Sequence, residues 1–233
     1  MLRQVAERNP GNAQSRRELI AVSWLLADTS VDIFHKQKKP PGPAVQLWQD
    51  VWREGTKLLK DDPANALVEA DVILISMGLG STLQEVGQPR NGLEILDPAI
   101  AMEERRYRAS PENRTAGYYL ALLLEASADC QKDLHDLNAS LTLRGTSENI
   151  FDRLVLKDPA NVEYRRDQAV NLKGTGEVLD GLGDNAGALA AYREALPILE
   201  SLPKAQSRAD PGKVITDLHQ DIDLIVKKSA AKK

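Results

Sequence analysis

The chain has 233 residues, 42% of them apolar and 27% charged, and carries a net charge of −4. That balance excludes a disordered polymer and a globally basic binder of nucleic acid or anionic lipid. A single cysteine, Cys130, excludes an intrachain disulfide and fits a reducing compartment.

Nothing in the first residues, "MLRQVAERNPG", reads as a signal peptide, because they are charged and reach proline at once. No unbroken run of 18 apolar residues is present, so no membrane span is expected. A soluble cytoplasmic protein is the expectation. The basic tail, Lys227-Lys228 and Lys232-Lys233, reads as a solvated helix end.

Punctuation organises the rest. Prolines at 10, 63, 111, 159 and 211 lie at intervals of 53, 48, 48 and 52, and Asp-Pro-Ala-Asn occurs at both 62–65 and 158–161. Proline stops the helix before it, and the Asn two residues on can cap the next. Asn12, Asn65, Asn113 and Asn161 hold that place. A period of this size signals repeated helix pairs. The units read as 9–61, 62–109, 110–157 and 158–209, followed by a capping helix over 211–228.

In unit one, Ile20, Ser23 and Ala27 mark one face of a first helix, "KQKKPPGP" is a lengthened loop, and a second helix runs from Pro43 to Lys60. Trp48 and Trp52, four apart, are core candidates. Unit two repeats the face as Ile73, Ser76 and Gly80. In its second half, Asp97 caps a short helix from Pro98 or Pro98 kinks a longer one. Unit three offers Ala121, Leu124 and Ala128, and its second helix is interrupted in pattern by Gly145-Thr146.

Unit four is the best formed. Ala169, Leu172, Gly176 and Leu179 share a face, Gly183-Asp184-Asn185 makes a turn, and a second helix starts near Ala186, bent or shortened by Pro197. Seventeen residues past the first four of these prolines stand Ala, Gly, Ala and Gly, small enough to let a neighbouring helix approach closely. The second helices read as less regular than the first. In the cap, Ile215, Leu218, Ile222 and Ile225 form one apolar face, as the end of a stack needs. Residues 1–8 read as the tail of a helix whose partner is missing.

Chemistry is not signalled. His35, His135 and His219 are scattered and match no metal-ligand spacing. Cys130 and His135 read as a structural pair near a helix end. The glycines of "GLGST" (78–82) and "GTGEVLDGLG" (174–183) follow no strand and lack the ending of a phosphate loop, so they read as packing and turn residues. No catalytic residue, cofactor or metal is expected, and the chain is not expected to be an enzyme.

Residues 161–200 resemble a tetratricopeptide repeat. The likeness is carried by Leu172, Gly176 and Leu179, the turn at Gly183-Asp184, then Ala188, Tyr192 and Ala195. A period of 48–53 marks a long-helix bacterial variant. The resemblance implies an all-α fold, a right-handed α-solenoid of about four antiparallel helix pairs plus the capping helix, as a single repeat domain over 1–233. It also implies that the first helices line a concave groove holding a protein or peptide, so the chain would be a non-enzymatic scaffold. The alternative is a regulatory or sensor fragment of a larger bacterial signalling protein, such as the repeat region of a Ser/Thr kinase.

Groove-facing positions carried over by the resemblance are Trp24, Asp28 and Asp32; Met77, Ser81 and Gln84; Glu125, Asp129 and Lys132; and Lys173, Glu177 and Asp180. Six are acidic and two are lysines, which implies a basic or mixed-charge partner. Glu177 stands where a chaperone-tail clamp needs Asn, so that partner is disfavoured. Nucleic acid and membrane are not expected partners. Self-association through the uncapped N-terminal end is.

Overall fold

The corner motif works as its residue types require. In a computed structural model, which describes residues 13–37, 41–203 and 212–231, the side chains of Asn65, Asn113 and Asn161 accept hydrogen bonds from the amides of Val68, Ala116 and Tyr164. Each fixes the first turn of a helix whose leading amides have no partner of their own. The corners at Asn12 and Pro211, the helix tail read at 1–8 and the final lysines lie outside the described residues.

Among the described residues there are nine helices and no strands: α1 Ala13–Lys36, α2 Gly42–Asp61, α3 Ala66–Glu85, α4 Pro89–Ala109, α5 Arg114–Asp133, α6 Leu137–Lys157, α7 Val162–Gly181, α8 Asn185–Glu200 and α9 Gly212–Ala231. Short connections make the two helices of each pair antiparallel neighbours. The chain gathers into two compact units, 1–105 and 106–233, the division falling within α4.

The turn inside each pair is also a copy. Gly87, His135 and Gly183, each 24 residues past a corner proline, have φ of 77°, 63° and 82°. The amide of the following residue reaches back to the carbonyls of Leu83, Gln131 and Leu179 at 2.8–2.9 Å. This left-handed cap closes the last turn of α3, α5 and α7 in the same way. Asp136 and Asp184 then cap α6 and α8 by accepting from Ala139 and Gly187. His135 thus does backbone work in a conformation glycine adopts more readily.

The second helices are more regular than their sequences suggest. Ala44, Gly92, Ser140 and Ala188 stand 48 residues apart, as do Trp48, Leu96, Arg144 and Tyr192, and Val51, Ala99, Ser147 and Ala195. All twelve are buried. The extra residues of unit one fall in α1 and the connection after it. Pro98 lies within an unbroken α4, so Asp97 does not cap a new helix, and α6 runs through Gly145-Thr146. Pro197 lies within α8, which is shorter than its counterparts.

The large member of each set, here called the knob, explains the small residues of the first helices. A Cβ at Gly80 would sit 2.5 Å from Leu96 Cγ, and one at Gly176 would collide with the Tyr192 ring. The knob also reaches the first helix of the next pair. A Cβ at Gly78 would strike Trp48, and one at Gly174 the guanidinium of Arg144. Each knob therefore needs a residue without bulk on the helix it meets.

In the first unit α1, α2 and α3 pack on one another around Ile20, Ala27, Trp48, Val51, Leu58, Val72, Ile75, Leu79 and Leu83. Ile95 and Met102 of α4 close over that core. In the second, α5 to α9 pack in sequence, with α5 on α7 and α7 on α9 as well. Its far end is built from Leu172, Tyr192, Leu199, Leu218 and Ile225.

α3 departs from the sequence reading: by length and composition it could cross a membrane. Here its apolar side chains fill the first unit's core and its Asp71 pairs with Arg17 at 2.6 Å.

Overpacking at the knob gives a direct test. Gly176→Leu is expected to lower stability by about 1–3 kcal/mol, whereas Asp180→Ala should change it by about 0.5 kcal/mol or less. Chemical denaturation of both variants checks this, and equal losses would contradict the packing.

Candidate functional site

Helical spacing places Glu163, Arg166, Val170, Lys173, Glu177 and Asp180 on one line along α7. Tyr118, Leu122, Glu125, Asp129 and Lys132 hold the matching line on α5. All are at least partly accessible. The six residues expected here from sequence are brought together, and α9 joins them.

Ion pairs stitch the three helices. Lys132 Nζ donates to Glu177 Oε2 at 2.6 Å, and Lys173 donates to the other oxygen of Glu177. Lys173 also lies 3.6 Å from Asp221 of α9, and Lys228 binds Asp180 at 2.7 Å. Asp129 accepts from Arg144 at 2.6 Å and faces Lys132 at 3.5 Å. Burial would raise the Glu177 carboxyl, but the two lysines outweigh it and hold it below the usual range.

Beneath this line lies a buried polar layer that the sequence reading did not anticipate. Arg144, 3% exposed, fills the place that Trp, Leu and Tyr take in the other second helices. Its guanidinium donates to Asn171 Oδ1 at 3.4 Å as well as to Asp129, while Asn171 Nδ2 donates to the Arg144 carbonyl at 3.0 Å. Ser140 and Ser147, where other repeats place Ala, Gly or Val, donate to the carbonyls of Ala128 and Ala121. The 48-residue register of the second helices was the available signal.

Further along, Tyr118 donates to Asp167 at 2.6 Å, and Arg166 binds both Asp167 and Glu163. Burial raises the Asp167 carboxyl, although Arg166 and Tyr118 oppose it. The Tyr118 ring lies 5.2 Å from that of Tyr164 and 5.7 Å from Tyr119. The row thus has an aromatic end, an apolar middle at Leu122 and Val170, and a charged end.

Glu125 sits between the two polar groups. Its Oε1 is sealed from solvent without a hydrogen-bond partner. Burial pushes its carboxyl well above the ordinary range; Asp167 and Asp129 add to this, and Arg144 and Arg166 offset part of it. A group with these neighbours holds its proton more tightly when folded.

In the first unit the expected residues behave differently. Trp24 packs against the core. Asp28 and Asp32 are exposed one turn apart, and burial together with the charge of Asp32 raises Asp28. Met77, Ser81 and Gln84 are half-buried on α3. Trp52, half-buried, donates to Ser76 at 3.1 Å. A cleft of about 350 Å³ opens between α2, α3 and α4, lined by Trp52, Leu79, Leu83, Ile95 and polar residues including Arg53 and Glu94.

Among the described residues searched, no three His, Cys, Asp or Glu side chains are grouped to hold a metal ion. Cys130 is buried in α5.

Comparison with known proteins gives the architecture independent support. The crystal structure of BtubC (BKLC) from P. vanneervenii is similar over 98% of this chain and 79% of its own, with a TM-score of 0.64 at 18% identity. The fold is a helical repeat. At that identity the likeness concerns the fold alone. A de novo designed helical repeat protein, DHR64, matches over 93% of this chain and 97% of its own at 12% identity, with a TM-score of only 0.29. No family profile matches the chain, and no curated protein does.

Glu125 yields a pH prediction. Its folded pKa lies above the unfolded value near 4.5, so the native state binds the extra proton and its contribution falls as pH rises through the interval between them. Glu125→Gln removes that dependence. The variant's melting temperature, relative to the parent, should rise from pH 4.5 upward and level off once native Glu125 has ionised. A difference that stays constant with pH would contradict the reading.

Proposed function

We propose that the chain is a non-enzymatic interaction module of the tetratricopeptide-repeat kind. It holds a protein or peptide segment along the row formed by α5, α7 and the face they share with α9. The observation that carries this reading is the row itself: side chains from successive first helices line up, remain accessible, and are held in fixed positions by one another. Fixed, accessible side chains bind with little ordering cost.

The composition of the row favours a mixed-charge partner. Three of its acids are already matched within the protein, Asp129 by Arg144 and Lys132, Glu177 by Lys132 and Lys173, and Asp180 by Lys228. A partner must therefore exchange ion pairs or bridge them rather than neutralise an open acidic surface. Its apolar contact would fall on Leu122 and Val170, flanked by Tyr118 and Arg166, residue types that anchor interfaces well. In the first unit, adjacent Asp28 and Asp32 favour a cationic side chain.

A test uses Val170, which is exposed in the middle of the row and contributes little to the core. Peptides selected from a random display library on the intact chain should lose at least about tenfold in affinity, roughly 1.4 kcal/mol, against Val170→Glu. The variant should melt as the parent does. Failure to select any ligand, or ligands indifferent to Val170→Glu and to Lys173→Ala, would refute the reading.

A further inference from the structure

The cleft of about 350 Å³ in the first unit combines a fixed apolar floor with uncommitted polar groups at its rim. Trp52, Leu79, Leu83 and Ile95 supply the floor. The Trp52 indole is held in place, because its N–H donates to Ser76 Oγ at 3.1 Å. Leu79 and Leu83 are anchored in the core behind it. A cavity of about 150 Å³ encloses a benzene ring, so this one has room for a ring and a short polar chain.

The rim differs from the row on α5 and α7, where three acids are matched within the protein. Among the described residues Glu94 makes no hydrogen bond or ion pair, and neither does the side-chain amide of Gln49. Arg53 donates from Nε to the Gln49 carbonyl at 3.3 Å and from Nη2 to Asp50, which leaves Nη1 open. Asn91 Nδ2 donates to Gln88, which leaves its Oδ1 as an acceptor. One cleft thus holds a cationic donor from α2, a free carboxylate from α4 and an apolar floor. An apolar hollow with a few convergent polar groups is the ordinary form of a small-molecule site.

The repeat itself does not require this set. Two repeats on, at 96 residues, the counterparts of Trp52, Arg53 and Glu94 are Glu148, Asn149 and Ala190. The helix pairs of the second unit are therefore built with neither an aromatic ring nor opposite charges at these places.

We propose that the cleft binds a free aromatic α-amino acid. Its ammonium pairs with Glu94, its carboxylate takes the open donor of Arg53, and its ring packs on Trp52 over the aliphatic floor. Both charges are needed, because a lone cation would be repelled by Arg53 and a lone anion by Glu94. The site is separate from the peptide row, so neither reading stands or falls with the other.

L-Phenylalanine titrated into the full chain and followed by NMR should move the Trp52 indole N–H signal, with Kd of about 1 mM or tighter. The loss of that signal in Trp52→Phe assigns it. Phenethylamine and hydrocinnamate, each lacking one of the two charges, should bind at least about fivefold more weakly. Glu94→Gln and Arg53→Gln, both at exposed positions, should each weaken L-phenylalanine by at least about fivefold and leave the melting temperature unchanged. Glu94→Gln should not weaken hydrocinnamate, a selectivity that a merely structural role would not produce. No saturable shift by about 10 mM overturns the proposal. So does a charge variant that binds L-phenylalanine as the parent does. Equal binding of N-acetyl-phenylalanine amide also overturns it, since the occupant would then be a residue within a peptide.

Discussion

One contact recurs through the chain and sets the rest: a side chain in the second helix of each pair lodged against first-helix residues that have no bulk. Trp48 against Gly78, Leu96 against Gly80, Arg144 against Gly174 and Tyr192 against Gly176 are versions of it. Glycine inside a helix costs roughly 1 kcal/mol relative to alanine, so its presence there needs a reason. Close approach supplies one. It brings the helix backbones near enough for α1 to touch α3 in the first unit and α5 to touch α7 in the second, and in the second unit the remaining faces of α5 and α7 form a row.

The third repeat uses the same geometry with different chemistry. Ser140, Arg144 and Ser147 replace small, large and small apolar residues, and Asn171 and Asp129 answer them. A buried arginine with partly satisfied donors adds less stability than a well-packed apolar knob would. What it provides is fixed orientation: Asp129 is held from beneath by Arg144 and from the side by Lys132, so the accessible row stands on an ordered polar layer. Burial, with Asp167 and Asp129 close by, makes the Glu125 carboxyl hold its proton more tightly than an ordinary one, and Arg144 and Arg166 offset part of that.

Much of this was legible in residue order alone. The corner prolines and asparagines gave the helix pairs, because proline and a capping amide acceptor act locally and do not depend on tertiary context. The small residues seventeen past the first four corner prolines gave the close face for the same reason. The second helices looked irregular because Gly145-Thr146 and the internal Pro98 and Pro197 stand out locally, whereas Arg144 aligns with Trp48, Leu96 and Tyr192 only when residues are counted at 48. His135 was hidden likewise, since a left-handed cap is normally announced by glycine. The positions carried over by the resemblance share one line on α5 and one on α7, but the side chains they pair with were not legible. Lys132 with Glu177 and Lys228 with Asp180 join residues more than 40 positions apart, and no local pattern reports that.

The nested contact can be measured as a coupling between two residues. In the parent chain, Gly176→Ala should destabilise, because the new methyl meets the Tyr192 ring. In a Tyr192→Ala background the same change should become neutral or stabilising by up to about 1 kcal/mol, the ordinary preference of a helix for alanine over glycine. A double-mutant cycle by chemical denaturation reads both numbers. If Gly176→Ala has the same effect with and without the Tyr192 ring, the two residues do not nest, and the alignment of the helices has some other cause.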